Sequence, residues 1–196
     1  FKTLESQIKT VSLDDWKTYL TWHVVHAAAP LLPEPFVNEN FEFYGRILTG
    51  AKELRPRWKR CVQYTDGDLG EALGQKYVEL TFGQQGKERM LKMVKALEVA
   101  LERDINQLDW MTPTTKKRAI EKLHAIANKI GFPEKWRDYS GLDVKPGDAI
   151  GNSFRANTFE FKRQMAKIGK PVDKKEWFMT PPTVNAYYDP QNNNIN

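Results

Sequence analysis

The sequence predicts a mainly α-helical chain that ends in one short β-hairpin. Three observations carry this expectation. Apolar residues recur every three or four positions through most of the chain, helix start and stop residues punctuate those runs, and strand-like alternation appears only from Val184 onward. Hydrophobic residues make up 40% of the 196, with six Trp and ten Phe, enough apolar matter for a packed core rather than a disordered tail.

The helices follow in order. Ser12 is an N-cap with Asp14 and Asp15 in the first turn, where carboxylates meet the positive end of the helix dipole. Leu13, Trp16, Leu20, Val24 and Ala27 then share a face, and Pro30 and Pro33 end the run. A second helix is expected from Pro35 to Thr49 with Gly50 as its left-handed stop, and a third from Arg55 to Tyr64. Thr65-Asp66-Gly67-Asp68 reads as a turn by composition, and Leu69 to Phe82 as helix, with Leu73, Tyr77, Leu80 and Phe82 toward a core. Gly86 to Leu108 places Met90, Val94, Leu97, Leu101, Ile105 and Leu108 on one stripe. Thr112-Pro113 opens a helix to about Lys129, with Ile120, Leu123, Ile126, Ala127 and Ile130 buried and Gly131 and Pro133 beyond its end. Asp138 to Asp148 reads as a surface loop, and a further helix runs from about Ala149 to Ile168, closed by Gly169 and Pro171. Asp173 and Glu176 have capping-box spacing. Val184 to Tyr188 is the strand, Asp189 to Asn194 the turn, and Ile195 opens the partner strand. A lone hairpin is marginal in water, so this one is expected to lean on a sheet or helix supplied by further sequence.

Charge and cysteine content narrow the function classes. The formal charge is +5, but 25 acidic residues interleave with 30 basic ones. Lys116-Lys117-Arg118 and Lys162-Arg163 lie on helices whose other faces are apolar, so they read as solvated faces and no nucleic-acid partner is expected. No membrane span is predicted, since no apolar run of about twenty residues occurs. Cys61 is the single cysteine, either a buried thiol or half of a bridge to residues outside the chain. The opening Phe1-Lys2-Thr3-Leu4 suits an internal fragment or a processed product.

Few residues offer chemistry. His23 and His26 sit three apart on one helix and give two ligands where a zinc site needs at least three, so they read as structural, as does His124. The glycines of Leu69-Gly70-Glu71-Ala72-Leu73-Gly74 do not match a phosphate loop and read as sites of close helix packing. Glu71 is a candidate buried carboxylate, paired with Arg55, Arg57 or Arg60. The terminal strand differs. An exposed edge strand captures an extended peptide through main-chain hydrogen bonds; Asn185 offers an amide donor and acceptor, Ala186 permits close approach, and Tyr187 walls a pocket. The alternative is an asparagine that caps an inert hairpin.

An ordered series of motifs resembles the neprilysin and endothelin-converting enzyme family of zinc metallopeptidases, including bacterial oligoendopeptidases of that type. It comprises Arg57-Trp58-Lys59-Arg60-Cys61, Leu69 to Glu79, Leu108-Asp109-Trp110-Met111, Thr115 to Ala119, Lys129-Ile130-Gly131-Phe132-Pro133 and Val184-Asn185-Ala186-Tyr187-Tyr188, with Trp22-His23 and Ala27 to Pro30 earlier. The resemblance implies one part of a larger, two-domain, thermolysin-like metallopeptidase, with residues 1–175 in its helical region and 176–196 starting the catalytic-domain sheet. It implies that Asn185 and Ala186 bind the main chain of a peptide substrate antiparallel, and that Tyr187 lines the pocket for the residue before the scissile bond. It also implies zinc, yet no His-Glu-x-x-His occurs here, so the ligands are expected outside this chain, in the rest of the polypeptide or a companion chain, and this chain alone is expected to be inactive. Cys61 resembles a family cysteine that forms a disulfide with an upstream one, which would place the complete protein in an oxidising compartment, periplasmic or extracellular. The rival reading is a non-catalytic helical module that binds partner peptides at the same edge.

Overall fold

A computed structural model describes residues 1–196. The chain is mainly helical and divides into two compact units, one of residues 1–61 with 143–155, the other of residues 62–142 with 156–196.

The first unit opens with α1 (Lys2–Thr10), a short helix that the sequence reading passed over, and α2 (Leu13–Ala28). Ser12 caps α2 as expected, its hydroxyl accepting from the Asp15 N–H at 3.1 Å. A 3₁₀ turn, Ala29–Leu31, follows, and α3 (Glu34–Asn40) runs into a π-helical turn, Phe41–Ile47. The single helix expected over Pro35 to Thr49 is continuous, with its middle in π form, and it stops at Gly50, whose φ of 71 fits the left-handed stop. Ala28 and Ala29 are buried here, whereas Leu20 and Val24 of the predicted apolar face are exposed.

Helix α4 (Arg57–Thr81) is two helical stretches that meet at a kink at Leu69 (φ −133, ψ 31), so the break expected at Thr65 to Asp68 falls at Leu69, and Thr65 to Asp68 are themselves helical. Helix α5 (Gly83–Gln107) follows, then α6 (Pro113–His124), whose cap Thr112 accepts from the Thr115 N–H at 3.2 Å. Helix α6 ends five residues before the expected Lys129, because strand pairing takes over. Ala127 donates its N–H to the Asn193 carbonyl (3.0 Å), and Lys129 donates to that of Ile195 (2.8 Å). Asn193 also covers the helix end, its Nδ2 donating to the Lys122 carbonyl at 3.0 Å. Helix α7 (Ala149–Met165) stops a few residues short of Ile168 in a series of turns.

The sheet has three strands: β1 (Ala127–Asn128), β2 (Tyr188–Asp189) and β3 (Asn194–Ile195), in the order β1-β3-β2. Strand β1 runs parallel to β3 with Ala127 opposite Asn194, and β2 runs antiparallel with Tyr188 opposite Ile195. The hairpin therefore leans on a strand of this same chain, contrary to the expectation that support comes only from further sequence.

Buried apolar residues are few: Ala28, Ala29, Val78, Ile105, Leu123 and Ala156. Of the α5 stripe only Ile105 is buried; Leu97 is 61% exposed, and Leu80 of α4 is 72% exposed. The helical period was read correctly, but no element of this chain covers those faces. The accessible surface is 15050 Å² for 22.7 kDa. A compact monomer of that mass would expose about 9500 Å², and two separate units of these sizes about 11000 Å².

Candidate functional site: the terminal edge strand and its strap

The residues leading into the hairpin form a strap held at several points. At its start the Glu176 carboxylate accepts from Arg163 (2.7 Å) and Lys167 (2.6 Å), while its main-chain carbonyl accepts from Lys129 Nζ at 2.7 Å. Burial alone would raise the Glu176 pKa, but the hydrogen bonds from Lys167 and Arg163 outweigh it and the net direction is down. Of the capping box expected at Asp173 and Glu176 only the Asp173 half forms, its Oδ1 accepting from the Lys175 N–H at 2.9 Å, while the Glu176 side chain turns to these cations.

Further along, Thr180 Oγ1 donates to Asp66 Oδ1 at 2.9 Å. Gly70 and Gly74 of α4 let the strap lie against the helix. A Cβ on Gly74 would stand 2.8 Å from Pro181 Cδ, and one on Gly70 would collide with the Thr180 methyl. The expectation that these glycines serve close packing is met, although their partner is the strap and not a second helix.

An ion chain underlies this arrangement. Glu71 is buried and binds Arg137, through the main-chain N–H at 2.7 Å and the guanidinium at 3.2 Å, so the expected pairing with Arg55, Arg57 or Arg60 is replaced by a partner 66 residues away. Arg137 also reaches Glu160 at 3.4 Å. Glu160 accepts two 2.7 Å bonds from Arg163, which, with the Gln164 amide and the charges of Arg163 and Arg137, pull its pKa to about 2 against the opposing effect of burial. Arg163 is thus a half-buried structural cation, not the solvated face expected for Lys162-Arg163.

At the edge itself, Asn185 and Ala186 are exposed and Tyr187 is half-buried. Tyr187 and Asn196 exchange both main-chain hydrogen bonds, 3.1 and 3.0 Å. In an antiparallel pair this turns the main-chain groups of the flanking residues, Ala186 and Tyr188, away from β3. Since β2 is outermost, they face an open edge. Asn185 Oδ1 accepts from the Ala186 N–H at 2.8 Å. The regular strand is shorter than Val184 to Tyr188, because Asn185 donates its N–H to the Thr183 carbonyl in a tight turn (3.0 Å). The Tyr187 ring lies 6.2 Å from that of Phe178, and burial pushes its hydroxyl pKa up. In the turn, the Asn192 amide and the Gln191 N–H hold the Asp189 carboxylate below its ordinary pKa.

The histidines lie apart from this strand in sequence and role. His26 stacks on Trp22 (5.1 Å) and meets Tyr44 (4.7 Å), and His23 lies edge-on to Tyr19 at 4.3 Å. His124, to which no partner was assigned from sequence, meets Glu102 of α5 at 2.9 Å. Lys116 donates to the Asn106 carbonyl at 2.8 Å, which makes one member of its basic run a packing residue. No three of the His, Cys, Asp and Glu side chains gather where they would hold a metal ion, so the residues present do not fit a zinc centre. Cys61 is exposed and forms no disulfide within the chain. No helix is long and apolar enough to cross a membrane.

Known proteins resemble this chain in sequence and in fold. The N-terminal profile of peptidase family M13 matches residues 1–133. The chain is 33% identical over 184 residues to human endothelin-converting enzyme 1 and 32% identical to an endothelin-converting enzyme homolog of Locusta migratoria, covering 90% of this chain in each case. It spans about a quarter of the length of these relatives, 24% and 25%. Among solved structures, Mycobacterium tuberculosis zinc metalloprotease Zmp1 in complex with an inhibitor superposes with a TM-score of 0.86 at 46% identity, over 98% of this chain and 29% of that one. PepO from Lactobacillus rhamnosis gives 0.75 at 25% identity, over 95% and 30%. With two thirds of its residues under the family profile, the chain belongs to peptidase family M13.

Proposed function

We propose that this chain is the substrate-binding portion of a zinc metalloendopeptidase of family M13 and is inactive without the zinc-bearing part. The observation that carries the reading is the open edge of β2, where Asn185 and Ala186 are exposed and the Ala186 and Tyr188 main-chain groups turn outward. Such an edge takes an extended peptide as an added strand, with main-chain bonds for affinity and alternate side chains in pockets for selectivity. Asn185 bonds the substrate main chain through its amide Nδ2, Ala186 through its backbone carbonyl, and Tyr187, backed by Phe178, walls the adjoining pocket.

The zinc ligands and the catalytic groups belong to polypeptide outside residues 1–196, in the remainder of the same protein or a companion chain. Residues 1–175 then form helical scaffold, and 176–196 begin the catalytic-domain sheet. Two features support a larger whole: the accessible surface is far above that of compact units of this mass, and faces such as that of Leu97 and Leu101 are uncovered. An exposed Cys61 supports a disulfide to a cysteine elsewhere, and with it a periplasmic or extracellular protein.

The test is a peptidase assay on the 196-residue chain alone and on the chain recombined with its zinc-bearing segment. Hydrolysis of peptides is expected only in the second case. Strong hydrolysis by the chain alone would refute this division of roles.

A further inference from the structure

We propose that Lys129 is a positioning residue for peptide binding: from the end of β1 its ammonium ties the strap at Glu176 to the sheet and, through Phe178, braces Tyr187, and so fixes where Asn185 and Ala186 stand at the opposite edge. This rests on the reading of residues 185–187 as the substrate edge.

The backbone sets the geometry. Lys129 continues β1, its N–H donating to the Ile195 carbonyl at 2.8 Å. Ala127 lies opposite Asn194, so two residues on Lys129 lies opposite Asn196, which in turn pairs with Tyr187. Side chains alternate across a sheet, so Lys129, Asn196 and Tyr187 form one row on one face. Phe178 spans that row: the Lys129 ammonium lies 5.6 Å from its ring centre, and its ring centre lies 6.2 Å from that of Tyr187.

The chemistry of Lys129 points away from a purely structural role. It is 8% exposed, yet its Nζ bonds a neutral main-chain carbonyl, that of Glu176, and no carboxylate stands within ion-pair distance. A buried ammonium without a carboxylate partner is destabilising, and an apolar side chain of similar volume would serve the core better. Burial lowers its pKa, while the charges of Asp189, Asp173 and Glu176 oppose that shift and keep the cation attracted to this face. What the ammonium does supply is a fixed link. Glu176 is anchored by Arg163 and Lys167, so a bond from Lys129 to its carbonyl couples the anchored strap to β1 and through it to the sheet.

The test uses the complete polypeptide that carries this sequence, with an extended peptide as substrate. Lys129→Met is expected to raise KM about tenfold and to leave kcat within about twofold, without lowering Tm. Asn185→Ala is expected to raise KM in the parent and to add less in the Lys129→Met background, because both changes act on how residues 185–187 meet the peptide. An unchanged KM in Lys129→Met, or a full additional Asn185→Ala effect in that background, overturns the proposal. If Asn185→Ala alone leaves KM unchanged, it is the reading of the edge that falls. Should Lys129→Met fail to fold, Phe178→Leu removes the bridging ring from a 65% exposed position; a KM rise of about threefold supports the proposal and no rise overturns it.

Discussion

The Thr180 hydroxyl donates to the Asp66 carboxylate at 2.9 Å, joining the strap to α4 across 114 residues of chain. The contact lies where Gly70 and Gly74 let strap and helix touch, five residues before the proposed substrate asparagine.

Removing that bond isosterically tests its weight. Thr180→Val is expected to lower the unfolding free energy by about 1–2 kcal/mol, the lower part of the range for a hydrogen bond to a charged group because the pair is partly solvated. Urea denaturation measures it, and Asp66→Asn, which keeps an acceptor, is expected to cost less.

Two glycines of α4 are expected to respond with opposite signs. Nothing lies within 4 Å of a Cβ built on Gly67, so Gly67→Ala gains helix propensity and stabilises by about 0.5–1 kcal/mol. Gly74→Ala pushes into Pro181 and is expected to destabilise by about 1–3 kcal/mol. Thermal melts of the pair separate packing from propensity.

Acid tests the ion chain. Glu160 has its folded-state pKa pulled from 4.5 to about 2, so its contribution is fully present above pH 4.5 and is lost as pH falls through about 2. Glu176 shifts in the same direction and acts with the same sign. Stability measured from pH 6 down to about 2 is therefore expected to decline faster in the parent than in Glu160→Gln. The difference is expected to be on the order of 1 kcal/mol, since Glu160 is partly exposed and screened.

Asn193 is the hairpin's link to α6. It holds φ 49, accepts from the Tyr188 hydroxyl at 3.0 Å, and donates to the Lys122 carbonyl. Asn193→Ala loses these bonds in a strained conformation and is expected to cost about 1–2 kcal/mol, with faster amide exchange at Ala127. Asn193→Gly relieves the backbone term and is expected to cost less.

The sequence made the local rules legible and left the long-range ones hidden. Ser12 and Thr112 were visible as N-caps because a cap is written within four residues, and Gly50 as a stop for the same reason. The end of α6 was not visible, since Ile126 and Ala127 continue its apolar period and only pairing with β3 draws them out. Glu71 with Arg137 and His124 with Glu102 were missed because sequence separation of 66 and 22 residues carries no periodic signal. Asn185, Ala186 and Tyr187 stand out by motif with a role attached; Lys129 also lies in a motif and Glu176 in a capping-box spacing, but their contact with each other, like that of Asp66 with Thr180, arises from the sheet register and the course of the strap.

A crystal structure of the complete polypeptide with a peptide-like inhibitor tests the central claim most directly. The account expects the inhibitor main chain to run antiparallel beside residues 185–187, within about 3 Å of the Asn185 amide and the Ala186 backbone. An inhibitor seated on another strand, with Asn185 covered by protein and out of reach of it, would contradict the account.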